Sequence, residues 1–143
     1  TLPLDLDDLL AQDPGGAVAS IDSATSVGHV HLKVSDVPRA AAFYRDVLGF
    51  EEQATMPSAA FLSAGGYHHH VGLNSWQSAG AAPAPDNAPG LREVRVELGD
   101  DAAVRELERG LREGSDGDVI EEGANGGLSV RDPDGQLLTF GHR

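Results

Sequence analysis

Five of the six histidines in this 143-residue chain fall in two short stretches, His29-Val30-His31 and His68-His69-His70. A third stretch, Glu93-Val94-Arg95, adds a carboxylate and a guanidinium. Imidazoles and carboxylates are the donors a divalent first-row metal takes when thiolates are missing, and the chain has no cysteine. A histidine beside such a centre can also move a proton. Each residue has a plainer reading as well. A histidine on an exposed strand is often only solvated, and adjacent histidines in a strand must divide between its two faces. His69 is expected to pack or to bond backbone, and His31 to touch a substrate or support a ligand. Glu93 and Arg95 taken alone read as a surface ion-pair pattern. The concentration of His29, His31, His68, His70, Glu93 and Arg95 argues for a site.

Those side chains need elements that bring them together. Gly28-His29-Val30-His31-Leu32-Lys33-Val34 alternates as a strand, with Val30, Leu32 and Val34 on one face and His29, His31 and Lys33 on the other. Ser35 and Asp36 can cap a helix that tolerates Pro38 in its first turn. Ala41, Tyr44, Val47 and Leu48 then recur at helical spacing before Gly49. Short strands are expected over 50–54, 59–64 and 67–73, with Gly65-Gly66 as a hairpin turn. Alternation along the last of these sets His68, His70 and Asn74 against Tyr67, His69, Val71 and Leu73.

The same β-α-β-β-β order returns after a Pro, Ala and Gly loop over 75–90. A strand over 91–98 puts Val94, Val96 and Leu98 opposite Glu93, Arg95 and Glu97, and Asp100 caps a helix striped with Val104, Leu107 and Leu111. Strands follow near Val119 and over 128–131. Asp132-Pro133-Asp134-Gly135 then turns into a last strand over 136–140, and its composition has a purely conformational explanation. His29 and Glu93 hold the same place in the two first strands. The expected architecture is α+β: two βαβββ modules, about 27–75 and 90–141, forming a curled mixed eight-stranded sheet around a cleft, with helices on the outer face. The polar strand faces would line that cleft. Residues 1–26 read as a docking turn and a linker.

Composition narrows the partners. One compact domain suits the length, and no apolar run approaches a bilayer span. Twenty-three acidic against ten basic residues give a formal charge of −13, which opposes binding to nucleic-acid phosphates. Lys33 is the single lysine, and this acid-rich composition suits a protein that stays soluble in high salt. The chain begins at Thr1 and shows no secretory signal, so a cytoplasmic protein, either a fragment or a processed product, is expected. Disulfides, thiolate zinc sites and a cysteine nucleophile are excluded.

Four segments carry a family resemblance: Gly28 to Val34, Ala42-Phe43-Tyr44-Arg45-Asp46-Val47-Leu48-Gly49-Phe50, Gly65-Gly66-Tyr67-His68-His69-His70-Val71-Gly72-Leu73-Asn74-Ser75-Trp76, and Arg131-Asp132-Pro133-Asp134-Gly135. Together they resemble the glyoxalase, bleomycin-resistance and extradiol-dioxygenase (vicinal oxygen chelate) superfamily. The histidine segment is similar to a catechol 2,3-dioxygenase subfamily, and the whole chain to the C-terminal domain of a two-domain member. The resemblance implies a metal in the cleft, ligated at His29 and Glu93 of the first strands and at about His70 (His68 by a two-residue slip) and Thr139 of the last. An extradiol domain is expected to offer His, His and Glu at the two first strands and the final strand, so Glu93 and Thr139 break the usual triad. His29, His70 and Glu93 would still form a two-histidine, one-carboxylate set for Fe(II), Mn(II), Ni(II) or Zn(II). His31 or His68 would then act as base. The resemblance thus implies a metal-dependent extradiol ring-cleaving dioxygenase or, alternatively, a catalytically degenerate domain without metal that binds a small ligand or a partner domain. A small aromatic or oxygen-rich molecule is the expected ligand, and a homodimer the expected assembly.

Overall fold

The computed structural model describes residues 5–12, 15, 20, 22–85, 87–114, 121–122 and 127–142. The first half runs β1 (Val30–Lys33), α2 (Val37–Ala42), β2 (Glu51–Met56), β3 (Ala59–Ser63) and β4 (Val71–Asn74), after a short α1 (Leu6–Ala11). The second half repeats the order with β5 (Val94–Glu97), α3 (Asp101–Gly114), β6 (Glu121–Glu122), β7 (Leu128–Arg131) and β8 (Leu137–Gly141). The βαβββ repeat expected from the sequence is therefore present in both halves. The strand expected near Val119 lies outside the described residues.

Local chemistry accounts for the element that carries the Phe-Tyr segment. The Asp36 side chain accepts a hydrogen bond from Arg39 N at 2.9 Å and caps α2. At Ala42 the helix passes without a break into one π-helical turn, Phe43–Val47, in which Leu48 N reaches back to Phe43 O. Gly49, at φ 78°, ends it. The apolar side of this helix, with Val37, Ala40, Ala41 and Tyr44, is buried against the first sheet.

The eight strands form two four-stranded mixed sheets, in the orders β1-β4-β3-β2 and β5-β8-β7-β6. In each, the first strand pairs in parallel with the last and the other neighbours are antiparallel. The α+β class and the mixed strands are as expected, but the strands form two sheets rather than one curled eight-stranded sheet. Each first strand spends one edge on its own module's last strand, and among the described residues β1 and β5 share no ladder. One apolar cluster nevertheless spans both halves, from Leu32, Leu62 and Leu73 to Leu111, Val130 and Phe140.

The Asp132-Pro133-Asp134-Gly135 turn does more than reverse the chain. Its Asp132 side chain accepts from its own turn, from Asp134 N and Gln136 N at 2.9 Å each, and from the buried Tyr44 hydroxyl at 3.1 Å. Asp134 accepts from Ser35 N at 2.8 Å and lies 3.5 Å from the Arg39 guanidinium. The turn therefore fastens the second module to the entry and the middle of the first module's helix. Burial raises the Asp132 carboxyl above its ordinary range, against the lowering effect of the hydrogen bonds it accepts. Burial first, and then Asp132, pushes the Tyr44 phenol far up.

Candidate functional site

The three consecutive histidines do not lie in a strand. β4 begins only at Val71, and Gly65 and Gly66, both at positive φ, open a loop that continues to His70. His70 closes that loop. Its N–H donates to Leu62 O at 2.8 Å, its carbonyl accepts from Val30 N at 2.9 Å, and its Nδ1 accepts from Ala64 N at 3.2 Å. The ring also stacks on Tyr67, with centroids 4.7 Å apart. Face alternation read from Tyr67 onward therefore does not govern His68 and His69.

Freed from strand geometry, His69 turns back over the start of β1. Its ring lies 4.6 Å from that of His29 and 4.6 Å from that of His68. One ligand nitrogen from each of His29, His68 and His69 lies within 4.8 Å of the others, and among the described residues this is the one His/Asp/Glu group so assembled. His70 and Glu93 stand outside it. Partial burial, followed by the neighbouring imidazoles of His29, His68, His31 and His70, holds His69 below the ordinary histidine value.

A row of rings continues across the open face of the first sheet. Phe61 meets His69 edge-on at 5.1 Å and His31 at 6.0 Å, and His31 in turn meets Trp76 at 5.7 Å. Gly72, opposite His31 in the β1–β4 ladder, makes this possible: a Cβ there would come within 3.1–3.3 Å of the imidazole. Trp76, 64% exposed, ends the row in solvent.

A second feature lies between the modules. A hollow of about 950 Å³ is bordered by Val30 and Val71 of the first sheet, by Leu48 and Phe50 beyond its helix, and by Val94, Val96 and Leu98 of β5 with Leu107 of α3. Of the six residues expected to share a polar cleft, His29, His70 and Arg95 border it, whereas His31, His68 and Glu93 do not. Its walls are thus largely the apolar strand faces. The ionisable groups around it are Arg95, the imidazoles of His29 and His70, and the carboxylates of Asp46, Glu97 and Glu106, with Thr25 and Ser26 beside them.

A family model for the glyoxalase/bleomycin resistance protein/dioxygenase superfamily matches residues 26–140. The chain belongs to this superfamily. It is 41% identical to a catechol-2,3-dioxygenase of Bacillus subtilis (strain 168) across 98% of its length, and it spans 49% of that relative. In fold it is similar to a lactoylglutathione lyase from Agrobacterium tumefaciens, with a TM-score of 0.61 at 23% identity over 84% of this chain and 95% of that one. It is similar too to a glyoxylase/bleomycin resistance protein/dioxygenase domain from Frankia sp. EAN1pec, with a TM-score of 0.61 at 23% identity over 82% of this chain and 97% of that one.

Membership in the superfamily sharpens the question of a metal in the position the resemblance implies. Thr139, in β8 opposite Arg95, is 8% exposed and supplies a hydroxyl where a carboxylate would be needed. Glu93 precedes β5, is exposed, and belongs to no group of three or more close His, Asp or Glu donors among the described residues. The residues present therefore do not fit the His-His-Glu set that the resemblance to an extradiol domain implies. His69, expected to pack or to bond backbone, packs against the rings of Phe61, His29 and His68; its approach to His29 was not legible, because alternation along a strand from Tyr67 sets no path for a loop.

Proposed function

We propose that this chain is a ligand-binding domain of a catechol-2,3-dioxygenase-like protein, and that the hollow between its modules takes a small aromatic molecule bearing hydroxyl groups. The observation that carries this reading is the hollow itself: about 950 Å³, with mainly apolar walls and a few polar groups at its margin, the usual make-up of a small-molecule site. Apolar walls suit a ring. The carboxylates of Asp46, Glu97 and Glu106 offer acceptors for hydroxyl protons, and their charge disfavours an anion despite Arg95. The substitution of Thr139 for a carboxylate supports binding without turnover.

A catalytic reading competes, supported by the 41% identity to a catechol-2,3-dioxygenase. It assigns a divalent metal to His29, His70 and Glu93 and a base to His31 or His68, and it requires those three donors to close on one another, since they do not form one of the close donor groups among the described residues. Bound there, the metal would supply a Lewis acid and a template for two neighbouring oxygens. Calorimetric titration with catechol and alkyl-substituted catechols tests the first reading. Saturable binding, lost in Val96→Trp, which fills the hollow, is the expected outcome. Steady oxygen consumption with catechol after loading with Fe(II) would replace that reading with the catalytic one.

A further inference from the structure

We propose that Asp132 and Asp134 hold one proton between them, and that its uptake tightens the join between the two modules. The turn Asp132-Pro133-Asp134-Gly135 is then a pH-operated clasp. Neither aspartate borders the hollow or belongs to the histidine group.

The donors around the turn lead to this proton. Asp134 N and Gln136 N both donate to Asp132 Oδ1 at 2.9 Å, Gly135 N donates to the Asp132 carbonyl at 2.9 Å, and Pro133 has no N–H. The Tyr44 hydroxyl donates to Asp132 Oδ2 at 3.1 Å, and Ser35 N to Asp134 Oδ1 at 2.8 Å. Two cations face the turn. The Arg39 guanidinium donates to Ser35 Oγ and to Pro133 O and stays 3.5 Å from Asp134 Oδ1, while Arg131 donates to Gly135 O. Asp36, the other carboxylate at this end of α2, accepts from Arg39 N. Asp134 Oδ2 is left buried, with no hydrogen-bond partner among the described residues. A buried carboxylate oxygen without a donor is costly, and each N–H of the turn is already engaged.

A proton on Asp132 supplies the missing donor. It comes from solvent, removes one of two buried negative charges, and leaves a hydroxyl that donates to Asp134 Oδ2; no other bond forms or breaks. The surroundings favour it. Burial raises the Asp132 carboxyl and the charge of Asp134 adds to this, against the bonds it accepts from Gln136 N, the Tyr44 hydroxyl and Asp134 N. Two carboxyls that interact in this way titrate as a pair. Tyr44 carries the effect onward, because its carbonyl accepts from Phe50 N at 3.0 Å and its ring meets that of Phe50 edge-on at 6.2 Å. Phe50 is part of the wall of the hollow, so the clasp and that wall move together.

The test is a pH titration of the full chain by NMR, following the carboxyl carbons of Asp132 and Asp134, beside denaturant unfolding at each pH. The Asp132 carbon should titrate above the free aspartate value of about 3.9, and the Asp134 carbon should sense the same step. Asp134→Asn places an amide N–H where Oδ2 stands, since its oxygen must keep accepting from Ser35 N. It removes the neighbouring charge as well, and should weaken proton binding at Asp132 by about tenfold. Tyr44→Phe removes a donor to the charged form and should strengthen it. A carboxyl raised by folding contributes stability that is full below its unfolded value and is lost as pH rises through its folded one. Asp134→Asn should therefore gain on the parent in unfolding as pH rises, and lose that gain toward acid. Asp132 titrating at or below the free value, an Asp132 titration unmoved by Asp134→Asn, or a stability difference independent of pH would each overturn the clasp. None of these measurements uses a ligand of the hollow, so its failure to bind one leaves them unaffected.

Discussion

At the scale of single residues, the structure separates histidines that face other imidazoles from neighbours of the same type that hold the backbone in place. His70 and His69 are adjacent, yet one is tied to the backbone of two segments, β1 and the end of β3, and the other faces two imidazoles. Gly72 and His31 are a matched pair, because the ring occupies the space a Cβ would take. Gly72→Ala is expected to displace His31 from Trp76 and shift the emission of this single tryptophan, and His31→Ala should produce a similar shift. Unchanged emission in both would dissociate the ring row from the sheet. Tyr44 offers a stability prediction. Its hydrogen bond to the buried Asp132 should make Tyr44→Phe cost about 1.5–3 kcal/mol at neutral pH, measured by denaturant unfolding. The phenol is raised above the usual value of about 10. It therefore stays protonated in the fold where an unfolded tyrosine ionises, a contribution present below about pH 10 and lost as pH rises beyond it. Stability should fall more steeply above that pH in the parent chain than in Tyr44→Phe.

At the scale of elements, the features legible in the sequence are those set by short-range rules. The Asp36 cap, the stop at Gly49 and the stripe through Ala41 and Tyr44 each follow from neighbours a few residues away. The π-helical turn was not legible, since it shifts the hydrogen-bond register without changing which residues are apolar. Strand limits were less secure. The run from Tyr67 alternates well enough to imitate a strand, but pairing begins only where Val71 meets Leu62 and Val30. Helix α3 carries a testable weakness at Gly110, where a Cβ would meet nothing within 4 Å. Gly110→Ala is expected to raise stability by about 0.5–1 kcal/mol in chemical unfolding. A loss of stability would mean that the margin of the hollow is tighter than the helix geometry indicates.

At the scale of the whole molecule, the two sheets meet through one core and one turn rather than through a shared ladder. The edges of β1 and β5 that carry no ladder among the described residues border the hollow, and the leucines of α1 (Leu6, Leu9 and Leu10) remain exposed. Exposed strand edges and apolar side chains favour association, so light scattering is expected to give the mass of a homodimer; a single-chain mass would refute it. No described helix is long and apolar enough to cross a membrane. The formal charge of −13 predicts self-repulsion that salt relieves. Melting temperature should therefore fall as salt is lowered from about 1 M to about 0.01 M, and indifference to salt would set aside a high-salt habitat.

The amino-acid sequence by itself determined the α+β class, the doubled βαβββ order and the superfamily, because caps, turns and period-two or helical spacing are written in neighbouring residues. It also marked His29 and the histidine run as chemically unusual. Only the tertiary structure decided which histidines meet, since His69 reaches His29 through a loop whose path depends on His70 bonding to β1 and β3. Likewise, the bond between Asp132 and Tyr44 joins residues 88 positions apart. Such contacts are properties of how elements pack, and no local spacing encodes them.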